Sequence, residues 1–439
     1  MEFQYSNVLI WGYGISGHAV EKILIDQDVD YTILDEGEKI NGGGFISKLT
    51  KRNIANFDLI VLSPGVKINR KEIQYARSIG IDVISEVEFG YMFLDPSTKV
   101  IAVTGTNGKT TTTDLIYTML TNAGKSCVEV GNIGKPVSAI YGSKYDYAIV
   151  ELSSFQLDGC KNFKADIAVF LNVAPDHLDW HKTFDNYLHA KLNIFNNQQR
   201  NDYAVINAED AILANIKSIN AKRVYFASGD AKAKYAKKGE YIVKNKNEIV
   251  NISTIPCVFE EDVLAMVAVG DIIGIDSNIM QNTVNTYSFL PHRCEFVTKI
   301  NGKDFYNDSK ATNIHATLTL LNKIDKSNIL LLLGGRNKRL DFKTLINSLD
   351  QKVSKIVAFG ECRNSIIRCK KYNKNITFYK VKNLHSFMEN IEKYWEGVDT
   401  IILSPACASF DEFQSYVDRG EYYIKAVCEL QAKYEKTTE

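Results

Sequence analysis

Residues 104–112 read TGTNGKTTT and lie between an apolar run, KVIAVTG, and a helical pattern that ends at Gly124. A glycine-rich turn between a strand and a helix, closed by Lys109 and Thr110, can surround phosphate oxygens with backbone N–H groups. In such a turn the lysine neutralises phosphate charge and the threonine hydroxyl can bind Mg²⁺. The spacing is shorter than the common G-x-x-x-x-G-K-[ST] form, because position 103 is valine. The stretch therefore predicts a shortened phosphate-binding loop in a parallel α/β domain.

Length and composition limit the class of protein. At 439 residues the chain can form roughly three domains of about 150 residues each. Lys+Arg and Asp+Glu both number 52, so no charge excess favours nucleic acid or an anionic membrane as a partner. The apolar runs are of strand length, and the N-terminus lacks the features of a signal peptide, so we expect no membrane insertion.

The cysteines indicate the compartment. Eight of them are scattered singly, and no C-x-x-C pair occurs. This pattern favours free thiols in a reducing cytoplasm over a disulfide framework or a zinc site.

Three segments alternate strand and helix patterns, which predicts an α/β protein with parallel sheets. We expect a Rossmann-like N-terminal domain over 1–93, a central P-loop ATPase-type domain over 94–290, and a C-terminal Rossmann-like α/β domain over 291–439. In the central segment, the lysine-rich residues 230–250 predict a solvated hairpin or strand pair.

A second glycine-rich loop, GYGISG, follows the first apolar strand pattern at residues 12–17, and Asp35 ends the next strand pattern. This arrangement matches the dinucleotide fingerprint, in which glycines allow close approach to a diphosphate and an acid binds ribose. A nicotinamide-dependent oxidoreductase is one interpretation. A tight turn that only allows helix–strand packing is another.

Several groups downstream of residue 112 could hold a metal ion beside bound phosphates. Glu151 ends the strand pattern YAIVEL, where an acid could meet Mg²⁺. The loop APDHLDWH offers Asp176, His177, Asp179 and His181, for which a zinc site or simple capping are alternatives. Lys191 lies in an amphipathic helical pattern, where a surface lysine is the plainest interpretation.

Taken together, the motifs resemble those of the Mur ligases over nearly the whole chain. GTNGKT resembles the family's P-loop, ELSSFQL its acidic strand, NVAPDHLDWH its histidine loop and YLHAKLNIF its modified-lysine helix. LPHR, NDSKATN and SPACASFDEF resemble its C-terminal signatures. NDSKATN resembles the members that add D-glutamate, because sister ligases usually show a Tyr-Ala-His motif there.

The resemblance implies ATP-driven amide bond formation between UDP-N-acetylmuramoyl-L-alanine and D-glutamate, through an acyl phosphate, in cytoplasmic peptidoglycan precursor synthesis. It implies ATP and two Mg²⁺ ions as cofactors and an N-carboxylated Lys191, whose carbamate oxygens can bind a cation where an ammonium cannot. We expect a monomer. The implied catalytic residues are Lys109, Glu151, His177 and Lys191, and the implied metal ligands are Thr110, Glu151, His177 and Lys191.

The resemblance also assigns the binding residues. The implied contacts to ATP are Gly105, Thr106, Asn107, Gly108, Lys109, Thr110, Thr111, Arg293 and Asp308. The implied contacts to the incoming amino acid are Lys310, Thr312, Lys338, Ser409, Phe410 and Tyr416. The implied contacts to the uridine diphosphate are Gly14, Ile15, Ser16, Asp35, Gly65 and Asn132.

Two stretches depart from the family pattern. Where members typically show an asparagine-rich helix near the adenine, this chain reads VFEEDVLAM, with Phe259 and Asp262 at the amide positions. LDEG lacks a basic residue directly after Asp35, which leaves uracil and ribose contacts at Glu36 and Gly37 open. A sister Mur ligase, a folate polyglutamate ligase and an idle nucleotide-binding relative are the alternatives within this resemblance.

Overall fold

A computed structural model describes residues 3–36, 44–229, 232–336 and 341–438 of the chain. The described residues form three β-sheets with helices around them. The chain divides into two compact units. The first comprises Met1–Val173, Asp185–Ile255 and Phe259–Tyr287, and the second comprises Ala174–Phe184, Pro256–Val258 and Ser288–Glu439.

The N-terminal sheet is parallel throughout and has the strand order β3-β2-β1-β4-β5. Its central strands are buried on both faces, which explains why their sequences are continuous apolar runs. The strands are β1 Asn7–Trp11, β2 Asp30–Leu34, β3 Phe45–Ile46, β4 Leu59–Leu62 and β5 Asp82–Ser85. The helices are α1 Ile15–Asp26, α2 Lys51–Ile54, α3 Lys71–Ser78 and α4 Glu86–Met92.

The middle sheet has nine strands in the order β14-β13-β12-β11-β10-β9-β6-β8-β7. It is parallel from β7 to β12, and β13 and β14 extend its edge as antiparallel strands. The strands are β6 Lys99–Thr104, β7 Cys127–Gly131, β8 Tyr147–Glu151, β9 Ile167–Phe170, β10 Tyr203–Asn207, β11 Lys222–Ala227, β12 Tyr235–Lys238, β13 Tyr241–Lys244 and β14 Asn247–Asn251. The α-helices in this part of the chain are α5 Lys109–Asn122, α6 Ser154–Leu157, α7 Leu178–His181, α8 Phe184–Leu192, α9 Glu260–Ile273 and α10 Ser277–Thr286.

The third sheet has the order β15-β16-β20-β17-β18-β19, and only its edge pair β15–β16 is antiparallel. The strands are β15 Glu295–Ile300, β16 Lys303–Asn307, β17 Ile329–Gly334, β18 Val353–Phe359, β19 Thr377–Lys380 and β20 Thr400–Leu403. The helices are α11 Ile314–Lys323, α12 Phe342–Ser348, α13 Arg363–Arg368, α14 Leu384–Met388 and α15 Tyr416–Thr438. Short 3₁₀ turns occur at Val137–Ile140, Asn193–Phe195, Leu213–Asn215, Cys257–Phe259, Cys369–Tyr372 and Ile391–Lys393.

The N-terminal and third sheets each carry a hydrophobic cluster on both faces, as expected when helices cover a parallel sheet on two sides. In the third sheet, alternate residues of β17 divide between the two clusters: Leu331 and Leu333 pack on one face, and Leu330 and Leu332 on the other.

The predicted α/β class with parallel sheets is confirmed. The lysine-rich stretch holds three strands, β12 to β14, where a strand pair was predicted. Two left-handed turns, at Gly239 and at Asn245 and Lys246, make the extra reversal possible. The cysteines, all within the described ranges, are free thiols. Among the helices of the described part of the chain, none has both the length and the apolar character needed to cross a bilayer.

Candidate active site

The glycine-rich turn joins β6 to α5 and is tied to the loop after the neighbouring strand. The N–H of Thr106 donates to the carbonyl oxygen of Asn172 at 2.9 Å, and the N–H of Asn107 donates to Asn172 Oδ1 at 2.9 Å. Asn172 follows β9, which pairs with β6. The Asn172 amide therefore fixes the turn at the carboxyl ends of parallel strands, where α/β proteins bind ligands.

Lys109 folds back over this turn. Its ammonium donates to the carbonyl oxygens of Gly105 at 3.0 Å and Thr106 at 3.1 Å. Helix α5 begins at the same residue, and the N-terminus of a helix favours anions. Thr110 follows and is half-buried. A cation, a hydroxyl and a helix N-terminus thus lie together, which is the chemistry that a phosphate chain and its metal ion require.

Gly108 permits this geometry in two ways. Its φ of +88° lies in the left-handed region, and a Cβ at this position would lie 2.4 Å from Asp262 Oδ1. Replacing Gly108 with alanine should therefore distort the turn. We expect a loss of about 1–3 kcal/mol in the free energy of unfolding and at least about a tenfold loss in ATP affinity. Thermal unfolding and nucleotide titration would measure the two effects.

Gly124→Ala is the matched control for this substitution. Gly124 has a φ of +69° just beyond the end of α5, but a Cβ there meets nothing within 4 Å. The control carries the backbone penalty without the clash. If both variants lose equal stability and both bind ATP normally, the turn does not depend on the close approach at Gly108.

Asp262, one of the two residues that depart from the family pattern, lies against the same turn. It is 3% exposed, and its Oδ1 accepts a hydrogen bond from Thr112 Oγ1 at 2.9 Å. Phe259 is buried just before α9. The hydroxyl of the neighbouring Thr111 is also buried and has no hydrogen-bond partner among the described residues. Asp262 therefore has a structural partner in α5, at a position where this chain departs from the family's asparagine-rich pattern near the adenine.

Glu151 ends β8, the strand beside β6, and is 1% exposed. Its Oε1 accepts a hydrogen bond from Asn132 Nδ2 at 2.9 Å, whereas its Oε2 is buried and finds no partner within the described ranges. Burial, together with the charges of Asp114 and Glu151, raises the pKa of nearby Glu129 to about 7. An unpaired buried carboxylate oxygen in acidic surroundings fits a hard cation such as Mg²⁺.

Lys191 lies on α8 and is 1% exposed, so it is not a surface lysine. Its Nζ donates to Gly105 O at 2.7 Å and lies 3.3 Å from Thr104 Oγ1. The end of the Lys191 side chain therefore lies directly beneath the glycine-rich turn. Thr110, Glu151 and Lys191 all belong to the first compact unit.

His177 belongs to the second compact unit. It adopts a left-handed conformation with a φ of +51° before the short helix α7, and its N–H donates to Asp176 Oδ1 at 2.8 Å. Asp176 Oδ2 in turn accepts a hydrogen bond from Asn313 Nδ2 at 3.1 Å. The described residues include no cluster of three or more His, Cys, Asp or Glu side chains able to hold a metal ion. The predicted ligand set contains only two residues of those types.

The N-terminal loop is built as its motif predicts. Gly12 has a φ of +94°, and a Cβ on Gly17 would lie 2.3 Å from Gly12 O. The N–H of Tyr13 donates to Asp35 Oδ2 at 2.6 Å, so the acid lies beside the loop. Ile15 is 74% exposed just after Gly14, at the start of α1. The remaining predicted contacts of this site are Ser16, which is half-buried, and Gly65 and Asn132, which are exposed.

A basic side chain from another element lies beside Glu36, the residue after Asp35. Arg70 donates to both oxygens of Glu36, at 2.9 Å and 2.6 Å. The Arg70 guanidinium also lies 4.9 Å from the centre of a Trp11 ring. Sequence reasoning missed this residue because 34 positions separate it from its partner. Gly37 lies outside the described residues.

Asp308 directly follows β16 in the second unit and is 4% exposed. Burial raises its pKa to about 7, although a hydrogen bond from Ser404 Oγ at 2.6 Å and the charge of Arg293 act to lower it. Its Oδ1 accepts a hydrogen bond from the N–H of Cys294 at 3.2 Å. The structure therefore pairs Asp308 electrostatically with Arg293, the other residue predicted to contact ATP from this unit.

The described residues among those predicted for the incoming amino acid lie on the loops after β16 and β20 and at the start of α15. Lys310 Nζ lies 5.6 Å from the centre of the Tyr416 ring. Ser409 is 2% exposed, whereas the adjacent Phe410 is 59% exposed. Thr312 is half-buried. Lys338 lies outside the described residues.

A parallel sheet with a phosphate-binding turn and an acidic strand end beside it defines a P-loop nucleotide-binding enzyme. Three family models match the chain: the MurD-like N-terminal domain of Mur ligases over residues 6–85, the Mur ligase middle domain over 103–269 and the Mur ligase glutamate ligase domain over 292–407.

Curated relatives match nearly the whole chain. UDP-N-acetylmuramoylalanine–D-glutamate ligase from a Thermoanaerobacter species (strain X514) is 36% identical, with 98% of this chain and 100% of the relative covered. The enzyme of the same name from Geobacillus kaustophilus is 34% identical, with 98% of each covered. The chain belongs to the Mur ligase family.

Solved structures agree with this fold. A MurF ligase from Thermotoga maritima, in complex with ADP, has a TM-score of 0.60 at 16% identity and covers 100% of this chain and 97% of its own. A pseudomurein peptide ligase type C from Methanothermus fervidus has a TM-score of 0.58 at 18% identity, with 91% and 96% covered. The likeness at this identity concerns the fold.

Proposed function

We propose that this chain is an ATP-dependent ligase that joins D-glutamate to UDP-N-acetylmuramoyl-L-alanine in peptidoglycan precursor synthesis. The observation that carries the proposal is the glycine-rich turn with the Lys109 ammonium over it, beside the buried Glu151 oxygen that has no partner among the described residues. The names of the full-length relatives support D-glutamate as the amino acid.

The first step activates a carboxyl group. The alanyl carboxylate of the sugar nucleotide attacks the γ-phosphorus of ATP, the bond to the β-phosphate oxygen breaks, and an acyl phosphate and ADP form. Two anions must approach each other, so neutralising their charge is the main way in which the site lowers the barrier. Lys109 supplies a cation at the turn, and the N–H groups at the start of α5 hold the phosphates.

The second step forms the amide. The amine of D-glutamate attacks the acyl carbon and loses a proton, and inorganic phosphate leaves from the tetrahedral intermediate. A dicarboxylate needs cationic and hydroxyl donors, which Lys310, Thr312 and Ser409 provide in the second unit. Phe410 and Tyr416 complete the described part of this site, and Lys338 is the further cation assigned to it.

Mg²⁺ would be held by Thr110, Glu151, His177 and N-carboxylated Lys191, with two ions as the proposed number. When bound, the metal neutralises phosphate charge during transfer. The Glu151 side chain fits this role because one carboxylate oxygen is already held by Asn132 and the other is unpaired within the described part of the chain. An unmodified Lys191 ammonium cannot bind a cation, so carboxylation by CO₂ is part of the proposal.

The sugar nucleotide is assigned to the N-terminal loop. Gly14, Ile15 and Ser16 open α1, whose N-terminus can hold the diphosphate, and Asp35 lies beside them. Gly65 and Asn132 are the remaining assigned contacts. The proposed setting is a monomer in the cytoplasm, with no nucleic acid partner, and the free thiols suit a reducing compartment.

An amino-acid panel tests substrate and reaction together. With ATP and UDP-N-acetylmuramoyl-L-alanine supplied, phosphate release with D-glutamate should exceed release with L-glutamate, L-alanine, L-lysine or diaminopimelate at least about a hundredfold. L-alanine and L-lysine lack the second carboxylate, so donors that pair two carboxylates are left without a partner. L-glutamate and diaminopimelate carry two carboxylates, but their stereochemistry or spacing differs, so amine and both carboxylates cannot take the same positions together. Release measured by a coupled assay, with the product mass recorded, gives the result.

The same panel, repeated with a folate and with other sugar-nucleotide acceptors in place of UDP-N-acetylmuramoyl-L-alanine, separates the alternatives. Release only with L-alanine or a diamino acid would reassign the chain to a sister Mur ligase, and release with L-glutamate and a folate acceptor would make it a folate polyglutamate ligase. No release with any amino acid would indicate an idle relative. Hydride transfer from NADH would revive the oxidoreductase interpretation of the N-terminal loop.

A further inference from the structure

A buried arginine lies under the amino-acid loops of the second unit. Arg419, near the start of α15, is 1% exposed, so its guanidinium does not reach solvent. Burial lowers its pKa to about 10, which leaves it a cation at neutral pH. Burying a guanidinium is costly unless its N–H groups find acceptors. The acceptors of Arg419 therefore identify the segments that it connects.

Three hydrogen bonds from Arg419 join two separate loops. Its Nε donates to Ser309 Oγ at 2.9 Å, and its Nη2 donates to Ser309 O at 2.8 Å and to Cys407 O at 3.1 Å. Ser309 follows β16 and Cys407 follows β20, and these strands are neighbours in the sheet. One guanidinium therefore fixes the separation of the two loops at the carboxyl ends of their strands.

The same network reaches two further segments. The Ser309 hydroxyl, which accepts from Arg419, donates to Tyr416 O at 2.8 Å and so anchors the first turn of α15. On the other side, Arg419 Nη1 packs near Gly335, where an added Cβ would lie 3.2 Å from it, and it makes no hydrogen bond within the described residues. The N–H of Arg336 donates to Ala408 O at 2.8 Å, which joins the loop after β17 to the loop after β20.

The residues next to these contacts are those assigned to the incoming amino acid. Lys310 follows Ser309 directly, Ser409 lies two positions after Cys407, and Tyr416 carries the carbonyl that Ser309 holds. A guanidinium with fixed, forked donors sets positions more strictly than a flexible ammonium.

We infer that Arg419 is a positioning residue that holds the loops after β16 and β20 at the spacing required to bind the two carboxylates of the incoming amino acid. It acts through Ser309 and Cys407 and does not touch substrate. The inference rests on the proposed function for the location of that site. The sugar nucleotide is assigned to the first unit, so its binding should not depend on Arg419.

Arg419→Lys tests the inference by steady-state kinetics with each substrate varied in turn. Lysine keeps the charge but lacks the rigid, forked donors that hold the two loops at one separation. We expect KM for D-glutamate to rise at least about tenfold, and KM for the sugar nucleotide to stay within about twofold of the wild-type value. Ser309→Ala removes one of the three contacts of Arg419 together with the hydrogen bond to Tyr416 O, and should raise KM for D-glutamate about two- to threefold.

Tyr423→Phe is the matched control. Tyr423 is fully buried one turn further along α15, and its hydroxyl has no hydrogen-bond partner among the residues that the structure describes. This variant perturbs the same helix without touching either loop, so all KM values should remain at the wild-type level. A stability role alone would lower the active fraction in Arg419→Lys, and hence kcat, with no selective rise in the KM for D-glutamate.

The outcomes are distinct. An unchanged KM for D-glutamate in Arg419→Lys, or equal rises for all substrates, overturns the inference. If Arg419→Lys does not fold, Ser309→Ala decides, and an unchanged KM for D-glutamate there has the same meaning. If the wild type uses another amino acid, the proposed substrate is wrong, and the KM comparison is made with the amino acid that it does use.

Discussion

Replacing Lys109 with alanine is expected to lower ATP-dependent amide formation at least about 10³-fold, the scale on which positioned cations act in phosphoryl transfer. The Lys109 ammonium lies over the turn on the carbonyl oxygens of Gly105 and Thr106, so its removal takes a cation from the turn proposed to hold the phosphates. The measurement is product formation by mass spectrometry together with phosphate release, at saturating ATP.

Lys99→Ala is the control for this change. Lys99 is an exposed lysine at the start of β6, so the variant loses the same charge from the same strand–turn–helix unit. It should keep full activity. Native-rate amide formation by Lys109→Ala, with folding confirmed by thermal unfolding, would falsify the assignment of the turn as the site of phosphoryl transfer.

Replacing Lys191 with alanine is expected to lower activity about 10²- to 10³-fold, because the variant loses both the contact to the turn and the proposed carbamate ligand. If the carbamate is the active form, a short carboxylate such as acetate or formate should restore part of the activity. A carbamate signal in the ¹³C NMR spectrum of the wild type under labelled CO₂ would give independent support.

His189→Ala is the control on the same helix, since His189 is exposed. It should neither lose activity nor respond to carboxylates. Full activity of Lys191→Ala in CO₂-free buffer would contradict a role in catalysis. A loss that carboxylates do not restore would leave Lys191 as a residue that only supports the turn through Gly105.

The parallel sheets could be predicted because their strands are short apolar runs separated by helical patterns. In the stretch NILLLLGG, every residue of β17 is buried. A strand covered by helices on both faces is expected to be apolar at consecutive positions. The two-residue strand β3 could not be predicted, since Phe45 and Ile46 pair only with the end of β2 and carry no periodicity of their own.

The phosphate-binding turn could be predicted because its chemistry is local. The residues of 105–110 act together through consecutive backbone N–H groups, so spacing alone indicates the site. Lys191 shows the limit of prediction from local sequence. Its helical pattern suggested a surface lysine, and only the fold shows that its side chain is buried against Gly105 O.

Arg419 could not be found from local sequence at all. In VDRGEYY it stands among polar residues near the start of a long amphipathic helix, where a charged side chain is ordinarily solvated. Its acceptors, Ser309 and Cys407, lie 110 and 12 positions away in the chain. Pairing across that separation depends on the order of strands in the third sheet, which no spacing rule encodes.

The partition of the chain between its two compact units has a consequence for truncation experiments. Residues 174–184 are grouped with the C-terminal unit, although they precede most of the middle sheet in sequence. A fragment excised at residue 288 therefore leaves behind Asp176, which accepts a hydrogen bond from the buried Asn313. Losing one such acceptor costs about 1–3 kcal/mol. No single cut yields two intact halves, so the C-terminal unit should be studied within the complete polypeptide.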